Sequence, residues 1–150
     1  MYRMLALCLC LFALPAFSVD MTGTWKLNTT KSKYTGMPMP KELTVTYTPE
    51  GSGWQYAAKG TSATGEPIES GFKYAKDGEE NKTTGFPNWD AIVLKNGNSD
   101  KSTATLKRGG KTVGSATRTI SADGKTMTIR GKVTTAEGKE ATYVSVYDKQ

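Results

Sequence analysis

Seven glycine-marked turns fall at nearly even intervals along this chain: Glu50-Gly51-Ser52-Gly53, Thr64-Gly65-Glu66, Asp77-Gly78-Glu79, Asn96-Gly97-Asn98, Gly109-Gly110, Asp123-Gly124-Lys125 and Glu137-Gly138-Lys139. Glycine supplies the positive φ that a tight hairpin demands. Asp-Gly, Asn-Gly and Gly-Gly between segments of period 2 are therefore strong hairpin signals. The spacing predicts an antiparallel meander, in which each strand lies beside the one before it.

Nine strands are expected, over 21–28, 42–49, 54–62, 67–75, 89–95, 100–108, 111–121, 125–134 and 139–148. No stretch places apolar residues at i, i+3, i+4 and i+7, so no helix is expected. Two connections are longer than hairpins: Thr29 to Lys41, with Pro38 and Pro40, and Gly78 to Asn88, which has room for a short tenth strand. Most strands have one apolar and one polar face. Val45 and Tyr47 oppose Thr44, Thr46 and Thr48; Trp54, Tyr56 and Ala58 oppose Gln55 and Lys59; Phe72 and Tyr74 oppose Lys73; Met127 and Ile129 oppose Thr126, Thr128 and Arg130. Such alternation belongs to a curved sheet with one dry side. Closing that sheet removes its exposed edges, so the expected fold is an all-β, antiparallel up-and-down barrel of about 8–10 strands, with a sandwich as the alternative. In the last strand Val144 and Val146 face one way and Tyr143 and Tyr147 the other. That two-sided pattern suits the seam where the end of the chain meets its beginning.

Residues 1–18 stand apart. Arg3 precedes an apolar run from Met4 to Leu14, followed by Pro15 and the small-residue stretch Ala16-Phe17-Ser18. This is the pattern of a cleaved signal peptide, and the run is far shorter than the ~20 residues of a membrane span. The mature chain is expected to begin at or near Val19, in the periplasm or outside the cell, as one domain over 19–150. Both cysteines, Cys8 and Cys10, lie in the removed segment. The formal charge of +6 comes from lysines scattered over every hairpin. Without a ladder of interleaved exposed aromatics, that distribution reads as solvated strand faces rather than a nucleic-acid surface.

The chain contains no histidine. That excludes Ser-His-Asp and Cys-His catalysis, His-ligated haem and the usual zinc sites, and no catalytic residue, metal or cofactor is expected. The acidic residues sit mostly in turns, where solvation explains them. Aliphatic residues are few: residues 19–150 hold four Leu, four Ile, seven Val and two Phe against three Trp and six Tyr. An interior built from large rings and small residues can leave space, as ligand-binding barrels do. The candidate lining is Tyr47, Trp54, Tyr56, Phe72 and Tyr74, with Trp89 near the mouth. The same rings could instead fill a solid core. Two functions follow: a carrier of a small apolar or amphipathic molecule, or an envelope interaction module with a filled barrel. Neither requires a membrane span.

Gly23-Thr24-Trp25 on the first strand resembles the G-x-W motif of lipocalins and related calycins, which implies that Trp25 closes one end of the barrel. Avidins open on a similar T-G-T-W. More of the chain, over residues 25–34, 85–90, 106–113, 121–128 and 146–150, resembles a family of functionally uncharacterised exported bacterial proteins called lipocalin-like. The chain departs from true lipocalins in ending at Tyr147-Asp148-Lys149-Gln150, with no segment for a C-terminal helix. It departs from fatty-acid-binding proteins in its first long connection, where two prolines leave little room for a helix pair. Nothing in it maps onto the biotin contacts of avidins. The resemblance implies a calycin-like barrel and leaves the ligand open.

Overall fold

The computed structural model describes residues 20–150, so the expected signal peptide, Cys8, Cys10 and the expected mature terminus at Val19 lie outside the described residues. All regular structure among the described residues is strand. The elements are β1 (Gly23–Leu27), β2 (Lys33–Thr35), β3 (Glu42–Glu50), β4 (Gly53–Thr61), β5 (Pro67–Tyr74), β6 (Glu80–Thr84), β7 (Ala91–Lys95), β8 (Lys101–Arg108), β9 (Lys111–Ile120), β10 (Thr126–Thr134) and β11 (Glu140–Lys149). Each strand from β3 to β11 pairs antiparallel with the next, β1 pairs with β3, and β1 also pairs with β11. The sheet is thereby closed into a ten-stranded barrel, with β2 as an extra strand on β11.

The closing strand pair is the expected seam, with Trp25 opposite Lys149 and Leu27 opposite Tyr147. The room between Gly78 and Asn88 does hold a strand, β6. The other long connection differs from expectation. Read from sequence, Thr29 to Lys41 is a connection outside any strand; in the structure, Lys33–Thr35 lies along β11, with Tyr34 directly opposite Tyr143. Between Leu27 and Lys33 the chain bulges outward and then returns to the same partner strand. The Ser32 hydroxyl makes the return possible. It accepts the Val146 N–H at 2.9 Å and donates to the Asn28 carbonyl at 2.7 Å, filling a gap in the ladder that no backbone group reaches.

The two halves of the barrel wall differ in bulk. On β3, β4 and β5 the inward row is Tyr47, Tyr56 and Phe72, cross-strand partners in sequence. Along β8, β9, β10 and β11 the corresponding row is Ala104, Ala116 and Gly131, ending on Tyr143. Rings on one side therefore face Ala104 and Ala116 on the other, while the Tyr143 ring covers Gly131. The space between them stays open because interiors are close-packed only where side-chain volume is sufficient.

One end is sealed. Trp25, Val45 and Met127 are fully buried there, and the Trp25 indole donates to the Met21 carbonyl at 2.9 Å. Lys149 Nζ lies 5.2 Å from the centre of the same ring.

Candidate ligand-binding cavity

The space between the two walls is a cavity of about 790 Å³, within the size range of small-molecule sites. Its mouth is formed by the β2–β3 connection at Met37 and Pro38, the β4–β5 hairpin, the β6–β7 loop at Phe86 and Trp89, and Glu137 in the β10–β11 turn. Ile68, Leu94, Leu106 and Ile129 add an aliphatic surface within.

Five of the six aromatic candidates line this cavity: Tyr47, Trp54, Tyr56, Phe72 and Trp89. The rings run as a continuous series from mouth to base. Trp89 stacks on Phe86 at 4.9 Å between centroids, Phe86 approaches Tyr56 at 6.0 Å, Tyr56 stacks on Phe72 at 5.0 Å, and Phe72 meets Trp54 edge-on at 5.6 Å. Tyr74 lies behind this series, outside the lining. Its ring stacks on Trp54 at 4.9 Å, and its hydroxyl donates to Asp77 at 2.7 Å. Trp25 also lies outside, in the sealed end.

Sequence reasoning missed the most unusual residue of the cavity, Arg118. It lies on β9 opposite Ser102, is 6 % exposed, and lines the cavity near the sealed end. Its Nη2 donates to the Gly97 carbonyl at 2.9 Å and the Ser99 carbonyl at 3.1 Å. The guanidinium carbon stands 5.6 Å from the Tyr47 ring centre and 5.5 Å from that of Trp54. The quadrupoles of those rings favour a cation. A signal was present: counting back in twos from Ile120 puts Arg118, Ala116 and Gly114 on one face. Val113 obscured it by suggesting the opposite phase. The structure resolves the conflict with a register shift, since Leu106 pairs with Gly114 and Lys107 with Thr112, leaving Val113 as the extra residue.

Gly97 anchors this end. Its carbonyl accepts from both Arg118 and the Trp54 indole, the latter at 3.2 Å, while its N–H donates to Asp77 at 2.9 Å. A Cβ at this position would collide with the Tyr74 ring, so the close packing of ring on backbone requires glycine. Hydrogen bonds from the Gly97 N–H, the Tyr74 hydroxyl and the Asn96 N–H hold the Asp77 carboxyl below its usual range. Burial, aided by the bond to Asp77, pushes the Tyr74 phenol up to about 12. A carboxylate with a depressed native pKa stabilises the fold above its unfolded pKa of about 3.9, and the contribution disappears as pH falls through the native value. Below about pH 4 the urea midpoint of the wild type should accordingly fall more steeply than that of Asp77→Asn. Equal slopes for the two proteins would show that Asp77 carries none of the acid dependence.

Other tyrosines face the cavity from the small-residue side. Tyr34 and Tyr143 stack at 5.9 Å, and the Tyr34 hydroxyl shares a 2.5 Å hydrogen bond with Ser145. Burial raises the phenols of Tyr47, Tyr56 and Tyr147, so all three are uncharged at neutral pH and able to donate.

At the mouth, Arg108 fixes the β6–β7 loop. Its Nη1 donates to the Asn88 carbonyl at 2.7 Å and the Thr134 carbonyl at 3.2 Å, and Nη2 to the Thr135 carbonyl at 3.3 Å. The Asn88 side chain accepts the Ala136 N–H at 3.1 Å. The segment carrying Phe86 and Trp89 is thus tied to the neighbouring turn. Of the acidic residues near the mouth, Glu69 is at the rim, paired with Lys59 at 3.5 Å, and Asp90 accepts the Gly109 N–H at 3.0 Å. Neither is a buried acid.

A closed antiparallel barrel around an aromatic-lined cavity is a calycin-like fold. Solved structures with the same fold include the zebrafish ileal bile acid-binding protein complexed with cholic acid, which is 14 % identical with a TM-score of 0.51 over 86 % of this chain and 98 % of that one. A second is the S-type phycobiliprotein lyase of Guillardia theta, 11 % identical with a TM-score of 0.56 over 87 % of this chain and 88 % of that one. At these identities the likeness is one of fold. No protein-family model and no curated protein sequence matches the chain.

Proposed function

We propose that this protein binds a small apolar or amphipathic molecule inside its barrel, as an exported lipocalin-like carrier. The observation that carries the reading is the open space itself: about 790 Å³ between a wall of rings on β3–β5 and a wall that includes the small residues Ser102, Ala104 and Ala116. A filled interaction module would place bulk at Ala104 and Ala116, where this chain has only methyl groups. The bile acid-binding neighbour, a protein of the same fold solved in complex with cholic acid, gives coarse support. Export rests on the apolar run of residues 4–14 and is checked by terminal sequencing of the mature protein, expected to start near Val19.

A neutral hydrophobic dye such as Nile red should bind saturably at about one per chain and raise the melting temperature. Binding to the native state alone stabilises it by mass action, by ~2.7 kcal/mol at a hundredfold excess over Kd. A panel of fatty acids, retinoids, quinones and polycyclic aromatics that all leave the melting temperature unchanged would overturn the carrier reading.

A further inference from the structure

We infer that the molecule this cavity accepts is an amphipathic carboxylate with a flat aromatic body, seated with its anionic head toward Arg118 and its body along the rings that lead to the mouth. The inference rests on the carrier reading and specifies its ligand.

The argument begins with charge. Arg118 is 6 % exposed and lines the cavity, yet none of the three ion pairs among the described residues includes it. Buried charges are ordinarily paired, because removal from water is costly without a counter-charge. Two carbonyls and two ring faces partly compensate this guanidinium and leave its charge unneutralised.

Hydrogen-bond inventory points the same way. Among the described residues, two buried side-chain atoms lack a partner, Trp89 Nε1 and Arg118 Nε. Both are donors, and both belong to residues lining this cavity. Neutral phenols at Tyr47, Tyr56 and Tyr147 add further donors. The carboxylates of the lining, Glu69 and Glu137, lie at the exposed rim. The interior is thus rich in donors and carries one positive charge at its base, so it lacks an acceptor-rich anion. A carboxylate matches a guanidinium better than a point anion does, because two oxygens meet two N–H groups.

The body of the ligand follows from the walls. Stacked pairs at Phe86–Trp89 and Tyr56–Phe72 present ring faces and edges, with interplanar angles of 26° and 19°. Flat rings gain offset-stacked and edge contacts against such surfaces that a flexible alkyl chain does not.

The test uses three probes of one shape: anthracene-2-carboxylate, anthracene-2-carboxamide and 2-(aminomethyl)anthracene, titrated by calorimetry near pH 7.5, with lauric acid as an aliphatic carboxylate. The carboxylate should bind at least tenfold more tightly than the amide, the amine weakest of all, and lauric acid more weakly than the aromatic acid. In Arg118→Met the preference for carboxylate over amide should vanish, and in Arg118→Lys it should survive in part. The wild-type ranking alone decides the matter if the Met variant fails to fold. Equal binding of carboxylate and amide, tightest binding of the amine, or tighter binding of lauric acid would overturn the inference and leave the carrier reading standing. No binding by any of the four while Nile red still binds would overturn the inference alone, and no binding by any of them or by Nile red would overturn both.

Discussion

Trp25→Ala should lower the unfolding free energy by about 3–5 kcal/mol, the range for emptying a buried aromatic site. The indole is wholly buried and stands where three strands meet, opposite Val45 on β3 and Lys149 on β11. Truncation removes the packing at the seam and leaves the Met21 carbonyl without the indole donor. It also removes the ring beneath Lys149, whose ammonium makes a cation–π contact of roughly 0.5–1 kcal/mol or more. Urea titration by circular dichroism checks the result. A loss below about 1 kcal/mol, typical of surface positions, would mean that the sealed end does not depend on this residue.

Ala116→Phe should weaken binding of a cavity ligand at least tenfold, about 1.4 kcal/mol, while leaving the fold intact. Ala116 belongs to the small-residue row, between Ala104 and Gly131, and lines the cavity. A ring built there would occupy the space that faces Tyr56 and Phe72. Overpacking is the usual penalty for enlarging a core residue, but a side chain growing into open volume avoids most of it. Dye titration of the variant beside Ser115→Thr, a neighbouring position with an exposed side chain, separates the two walls of the strand. Undiminished affinity in Ala116→Phe would move the site from the barrel interior to the loops around Tyr34 and Trp89.

Much of the fold was legible because it is written in local chemistry. Asn-Gly, Asp-Gly and Gly-Gly pairs mark hairpins whose geometry needs no distant information, and period-2 alternation identifies the dry side of a strand. The two-sided last strand announced the seam, and the scarcity of aliphatic residues announced an interior of rings and small side chains. Short-range patterns say less about which neighbour lies across a barrel. Lys33–Thr35 is too brief to read as a strand, and Ser32 gains its importance only through Val146, 114 residues away. Arg118 was hidden for a related reason: a bulge at Val113 reverses the phase of the strand, and a charged residue is ordinarily read as solvent-facing. Tyr74 had the right alternation and depth, but the cavity ends at Trp54, one ring in front of it.

At the sealed end the chain also closes on itself: the Gln150 N–H donates to the Thr24 carbonyl at 2.9 Å, and Lys149 Nζ donates to the Asp20 carbonyl at 3.0 Å. Asp20 and Gln150, the two limits of the described residues, therefore lie close to one another as well as flanking the β1–β11 ladder. In a closed ring of antiparallel strands no strand is geometrically first. A circular permutant that joins Gln150 to Asp20 through a short linker and opens at Gly109-Gly110 would follow the same neighbour order around the barrel. A fusion partner attached to Gln150 would likewise hang from the base, leaving the entrance turned away from it.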